Sequence, residues 1–279
     1  MYGLIITTKF ILSNTTYSKS IRKYDLNTQG GWSFLWIGST INCGSLCTKP
    51  HHTKGSKIRM KAGNIHYNCE NDLPKKIVLF PLEGALLLPG GFLSLNIFEP
   101  EALEMVEDAM VSNRLLGIIQ PLSSGTDYLP IQLYKMGCIG RITHYNETGN
   151  GQLFIILQGV CRFTLEQELV NTKSYRIALI RSNIKDLQEV EFSESINREN
   201  LLNIVEQYLT IHEIEYNWSN IIQTPTPILV NAFSSLIPFT PAEKQALLEA
   251  PDIGSRAQTL LALTERSLMK QTGAYHYLN

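Results

Sequence analysis

The chain has 279 residues, 44% of them hydrophobic and 18% charged, with a formal net charge of −1. That composition supports a soluble fold with a real core and excludes collagen, coiled coil and wholesale disorder. Five scattered cysteines do not make a disulfide framework and favour a reducing, cytoplasmic setting, and no run approaches the ~18 consecutive apolar residues of a membrane-spanning helix.

The charge is unevenly spread. Residues 1–59 carry Lys9, Lys19, Arg22, Lys23, Lys49, Lys54, Lys57 and Arg59 against Asp25 alone, a net of +7. The remaining 220 residues hold 16 basic and 24 acidic groups, a net of −8. An acidic body disfavours nucleic-acid binding, because neutralising phosphate needs clustered Lys and Arg. The first 59 residues are rich in Ser, Thr, Asn and Gly, and Leu4-Ile5-Ile6 and Phe34-Leu35-Trp36-Ile37 show no sustained period. A targeting peptide, a disordered arm, or an extension ahead of a natural start at Met60 all fit. A targeting peptide should be amphipathic. The segment is therefore set apart as a disordered or non-native extension.

From Ile77 the pattern changes. Ile77 to Leu82 is a β-rich apolar run containing Pro81, and Leu86-Leu87-Leu88 stops at the turn-forming Pro89-Gly90-Gly91. Phe92 to Phe98 alternates as a strand, and Pro100 takes a first helical position. Leu103, Val106 and Met110 then recur at helical spacing among Glu101, Glu104, Glu107 and Asp108, which predicts one amphipathic crossover helix. Strands follow at Leu115–Gln120, Tyr134–Tyr145, Leu153–Leu157, Val160–Leu165 and Tyr175–Arg181. Gly137 and Gly140 mark bulges or close backbone approaches, and Asn150-Gly151 suits a hairpin turn. Beyond about Asp186 the period becomes helical. Leu201, Leu202, Val205, Tyr208 and Leu209 form one stripe; Pro225 and Pro227 open the next helix, with Ile228, Leu229, Ala232, Phe233 and Leu236 as its apolar face. Thr240-Pro241-Ala242-Glu243 has the capping-box pattern, and Asp252 suits the cap of a last helix bearing Leu260, Leu261, Leu263 and Leu268. Strands first and helices afterwards predict an α+β fold, with a β-rich part over 75–185 and a helical part over 190–272.

Candidates for chemistry are sparse. Cys43, Cys47, His51 and His52 offer a zinc-compatible ligand set, but they fall in the extension without the paired spacing of a finger, so no metal site is assigned. Ser267 and Lys270 have S-x-x-K spacing without the S-D-N and K-T-G partners of penicillin-recognising enzymes, and a cation at a helix end is explained by the dipole. His144 reads as an exposed strand residue and His212 as a helix end. Glu99, between Phe98 and Pro100, reads as a helix-start carboxylate. No P-loop, dinucleotide fingerprint, nucleophile elbow or H-E-x-x-H occurs, so no cofactor and no catalytic residue are assigned.

Several ordered motifs resemble one family. Phe80-Pro81-Leu82, then Leu88-Pro89-Gly90, then Leu95-Asn96-Ile97-Phe98-Glu99-Pro100 look like the opening of the Lon N-terminal domain, the substrate-recognition module of the Lon ATP-dependent protease. Gly137-Cys138-Ile139-Gly140-Arg141-Ile142 resembles its glycine-marked strand, and Gly159-Val160-Cys161-Arg162-Phe163 its G-V-x-R strand. The likeness covers about residues 75 to 270. It is nearest to stand-alone bacterial Lon-domain proteins, which share the Pro-Phe-x-Pro-Ala-Glu-Lys-Gln segment seen from Pro238 to Gln245. One departure is Glu101-Ala102, where the family usually has Arg-Tyr.

The resemblance implies a PUA-like pseudo-barrel followed by a helical bundle, with those motif residues mainly structural. It implies a non-catalytic module that binds unfolded or hydrophobic client polypeptides, as an adaptor in protein quality control. Leu86, Leu87, Leu88 and Phe92, flanking the Pro-Gly-Gly turn, are the expected peptide contact on the barrel rim. A hydrolase with a spatially assembled site and a PUA-like RNA binder are the alternatives.

Overall fold

The computed structural model describes residues 6–7, 60–122, 131–149, 151–188 and 196–271. The β-rich runs fold as β1 (Ile6–Thr7), β2 (Met60–Ala62), β3 (Ile65–Tyr67), β4 (Lys76–Pro81), β5 (Phe92–Ile97), β6 (Leu115–Pro121), β7 (Leu133–Thr148), β8 (Gln152–Leu169) and β9 (Arg176–Ser182). Helix α1 (Pro100–Val111) lies between β5 and β6, and α2 (Arg198–Ile211), α3 (Trp218–Gln223), α4 (Thr226–Leu236), α5 (Pro241–Glu249) and α6 (Ile253–Gln271) follow the strands. The main sheet runs β1-β5-β8-β7-β6-β4-β9, and β9 pairs again with β8. Strands β4, β6, β7, β8 and β9 therefore close on themselves, with β5 and β1 carried on the outside of β8. This is the expected α+β pseudo-barrel with its helical bundle.

Closure depends on β8, which is 18 residues long. Leu153 to Gln158 pair with β5, whereas Phe163 to Leu169 pair with β9. Between them Val160 drops out of the register with β7, a bulge that bends the strand from one neighbour to the other. The sequence reads these as two strands, because Gly159 interrupts the apolar pattern; the pairing with β7 resumes on both sides of the bulge and makes them one.

Period-two alternation sorts the side chains. Ile77 and Leu79 of β4, Ile139 of β7, Phe163 of β8 and Ala178 and Ile180 of β9 meet in one buried cluster inside the barrel. A Cβ on Gly137 would lie 2.5 Å from Phe163 Cζ, and one on Gly117 would lie 3.2 Å from it. The two glycines are therefore the room that Phe163 occupies. On the other face, Leu116, Ile118, Cys138, Leu157 and the β5 residues Leu93, Leu95 and Ile97 share a second cluster with α1, α2, α4, α5 and α6. Leu115 to Gln120 of β6 are buried throughout, as a strand covered on both sides must be.

The helices begin where their caps direct. Thr240 accepts from Glu243 N–H while the Glu243 carboxylate accepts from Thr240 N–H, completing the capping box at Pro241. Asp252 accepts from Ser255 N–H at 2.8 Å ahead of α6. Two apolar faces differ from expectation. In α1 the buried residues are Ala102, Met105, Val106 and Ala109, with Leu103 and Met110 half-buried, since the two alanines allow the helix to approach the sheet closely. In α4, Leu229, Val230 and Phe233 are buried while Ile228 is 54% exposed. The short α3 has too few apolar positions to show a period.

Candidate functional site

Leu86, Leu87 and Leu88, expected on the rim, are instead 4%, 2% and 0% exposed. They belong to the cluster that joins the barrel to the helices. The turn after them explains why. Leu88 C=O accepts from Gly91 N–H at 2.8 Å, with Pro89 and Gly90 as the central pair and Gly90 at φ +75°. That is the arrangement of a type II turn, which needs a positive φ at its third position. The turn docks on β8: Gly90 N–H donates to Gly159 C=O and Gly159 N–H donates to Gly91 C=O, each at 2.9 Å. Asn231 of α4 holds the Pro89 carbonyl from the other side. The leucines are thereby turned inward and present no surface to a peptide, while Phe92 is half-buried at the start of β5.

The other motif residues also join parts of the fold. Glu99 is the residue before α1, its carbonyl accepting from Leu103 N–H, with Pro100 in the first turn and Phe98 36% exposed beside it. Phe80 and Leu82 are buried; Pro81 ends β4; Asn96 is half-buried in β5. Gly140 leaves room for Leu87, whose Cδ2 would stand 2.8 Å from an added Cβ.

Arg162 is the most connected. Its guanidinium donates to both oxygens of Asp186, from Nε at 2.8 Å and Nη2 at 2.7 Å. The same group reaches the carbonyls of Leu248, Ala250 and Pro251 at the end of α5. Hydrogen bonding to Asp186 holds the Arg162 pKa above the ordinary arginine value. From the helical side, Gln245 Nε2 donates to Met136 C=O and the buried Lys244 donates to Gly84 C=O at 2.7 Å. Desolvation pulls the Lys244 pKa below the usual lysine value. Gln120 of β6 completes the seam, donating to Pro241 C=O and accepting from Gly84 N–H. Arg162 and the segment from Pro238 to Gln245 are therefore the fastening between barrel and helices.

Among the described residues, two clefts stand out. One, about 350 Å³, lies between the β2–β3 hairpin and the turn after α1, lined by Tyr67, Asp72, Asn113, Arg114 and Arg141. Arg141 is committed there to the Asn113 carbonyl at 2.9 Å. The other, about 250 Å³, lies within the helical bundle. Tyr208 of α2, Ile237 and Phe239 of the α4–α5 loop and Leu263 of α6 line it with apolar surface, and His212, Glu243, Arg266 and Lys270 add its charge and polarity. His212 ends α2 with its ring 4.2 Å from that of Tyr208, and Arg266 is ion-paired with Glu243. Ser267 and Lys270 also line this cleft. Lys270 is solvent-exposed, so the pair lacks the desolvated setting that activates a serine–lysine nucleophile. His144 is an exposed strand residue, and Cys43, Cys47, His51 and His52 lie outside the described residues.

Tyr208 gives this region a titration signature. Burial pushes its phenol up to about 12 from 10.0. Its neutral form contributes fully to stability below pH 10, and that contribution is lost as the pH rises towards 12. Tyr208→Phe is expected to flatten part of the fall in stability between pH 10 and 12, followed by urea unfolding at stepped pH. An unchanged slope would mean that the phenol is hydrated in the folded state.

The family model of the ATP-dependent protease La (LON) substrate-binding domain matches residues 76–266. The chain belongs to that family. Among curated relatives, the Lon protease of Parabacteroides distasonis is 31% identical over 196 residues, covering 68% of this chain and 24% of that protein. Lon protease 2 of Myxococcus xanthus is 23% identical over 205 residues, covering 71% of this chain and 24% of that protein. The chain thus spans about a quarter of the length of these relatives. The solved N-terminal domain of Mycobacterium avium complex Lon protease superposes with a TM-score of 0.50 at 18% identity, covering 68% of this chain and 98% of that one. That likeness supports the fold. The matched Lon domain contains Arg162, Asp186 and the whole seam from Gln120 to Gln245, so barrel and helices lie within one family unit. No described helix is long and apolar enough to cross a membrane.

Proposed function

We propose that the chain is a non-catalytic, cytoplasmic, polypeptide-binding module that holds unfolded or hydrophobic client segments, acting as an adaptor in protein quality control. The observation that carries this reading is the match of a substrate-binding domain model across residues 76–266. The chemistry is consistent with it. The motif residues are occupied in holding the fold together, and Lys270, one turn from the half-buried Ser267, stands in water.

The test is fluorescence anisotropy with the full chain and a labelled, reduced and carboxymethylated lactalbumin, compared with the native folded form. Saturable binding of the unfolded form alone is expected, and the ligand should stay intact by mass spectrometry with or without ATP. Equal failure to bind both forms would reject the binding reading. ATP-stimulated cleavage abolished by Ser267→Ala would reject the non-catalytic one.

A further inference from the structure

We propose that the cleft between α2, the α4–α5 loop and α6 is an anchor pocket for one large apolar side chain flanked by acidic residues in a bound polypeptide. This rests on the polypeptide-binding reading above and gives it a place and a sequence preference.

The size of the cleft sets the class of occupant. About 250 Å³ is below the ~300–1,000 Å³ of a typical small-molecule or cofactor pocket, and suits a single bulky side chain. Its lining sets the chemistry. Leu263 and Ser267 are half-buried and Pro238 is exposed, so they offer the accessible surface. Tyr208 and Ile237 at 2% and Phe239 at 8% exposed form a fixed backing behind them that needs no reorganising. Pro238 stiffens the loop side, where Phe239 N–H donates back to Ile237 C=O at 2.8 Å.

Charge at the rim sets the flanking residues. Glu243 is already held by Arg266, whereas the ion pairs of the described residues do not include Lys270. Among the described residues, Lys270 is therefore a rim cation outside those ion pairs. From residue 60 onward the chain carries a net charge of −8, while residues 1–59 add +7. A ligand bearing Asp or Glu beside its anchor is attracted at this rim by Lys270 and gains little from the acidic body around it, a contrast that gives specificity. A basic-flanked segment keeps the apolar contact but meets Lys270 with like charge, which weakens it.

Three labelled peptides test this with the full chain: one phenylalanine flanked by aspartates, one flanked by lysines, and an alanine flanked by aspartates. The aspartate-flanked phenylalanine is expected to bind about ten-fold more tightly than either of the others. Ser267→Trp, at a half-buried helix position lining the cleft, should weaken it by a similar factor with the circular dichroism unchanged. Lys270→Glu should abolish the preference for aspartate over lysine. If both variants bind the aspartate peptide as the parent does, the pocket is not the anchor. Retained binding of unfolded lactalbumin in that case would leave the broader reading standing. A parent that binds neither peptides nor unfolded protein removes both.

Discussion

Arg162→Ala is expected to lower the unfolding free energy by about 3–5 kcal/mol, the usual result of removing one partner from a buried ion pair. The side chains of Arg162 and Asp186 are 5% and 8% exposed. Removing the guanidinium leaves the Asp186 carboxylate with one remaining backbone contact to residue 162, at 2.9 Å, and with Asn183. It also strips donors from the carbonyls of Leu248 and Ala250, where α5 ends against the barrel. The two losses can be separated. Asp186→Asn keeps most of the shape and leaves the carbonyl contacts of Arg162 intact, yet strands a buried cation. Arg162→Met with Asp186→Leu removes both charges and should cost less than the two single changes added together. Urea denaturation of all three, followed by far-ultraviolet circular dichroism, supplies the comparison. A loss within about 1 kcal/mol for Arg162→Ala would place the pair in the class of exposed salt bridges, despite its burial.

The contrast between Arg162 and Leu86–Leu88 shows what a sequence carries. Arg162 is legible as part of a motif, but its partners are 24 to 89 residues away, so its role as a fastening becomes visible only once the chain is folded. Lys244 donates across 160 residues to Gly84, and nothing local announces that a lysine at that helix position will be buried. The three leucines pose the opposite problem. An apolar run before a Pro-Gly-Gly turn has the same composition whether it caps a core or faces a ligand. What decides is the docking of the turn on Gly159, a contact across some seventy residues of chain.

Local chemistry was the more legible part. The capping box at Thr240 and the start of α1 at Pro100 each follow from steric or hydrogen-bonding needs within a few residues, whereas Gly137 and Gly140 were legible as close approaches but not for the distant Phe163 and Leu87 they accommodate. The faces of α1 and α4 were less so, because a helix settles on whichever stripe lets it come nearest, and small residues such as Ala102 and Ala109 carry little hydrophobic signal. The cleft has no sequence pattern at all. Tyr208, Phe239 and Leu263 come from three separate elements, and the S-x-x-K spacing of Ser267 and Lys270, set aside in the sequence for want of its partner motifs, gave no sign of a cleft.

Gly159→Ala should be the most damaging single methyl addition in the barrel. An added Cβ would lie 2.1 Å from the Leu88 carbonyl oxygen and 2.8 Å from its carbon, both backbone atoms that cannot rotate away. Relief requires the Leu88–Gly91 turn to lift from β8. Lifting it breaks the paired hydrogen bonds from Gly90 and Gly159, loosens Asn231 from Pro89, and draws the buried Leu87 and Leu88 out of the shared core. Overpacking of this kind costs about 1–3 kcal/mol when flexible side chains absorb it. Here backbone must absorb it, so a loss of about 3 kcal/mol or more is expected. Gly149→Ala is the control, since an added Cβ there meets nothing within 4 Å and the change should be nearly neutral. Hydrogen exchange adds a local reading. The amides of Gly90 and Gly159 should lose protection together, ahead of Leu95 and Ile97 farther along β5. Wild-type protection and stability in Gly159→Ala would show that the turn already stands off the strand, and would remove the reason for the inward burial of the leucines.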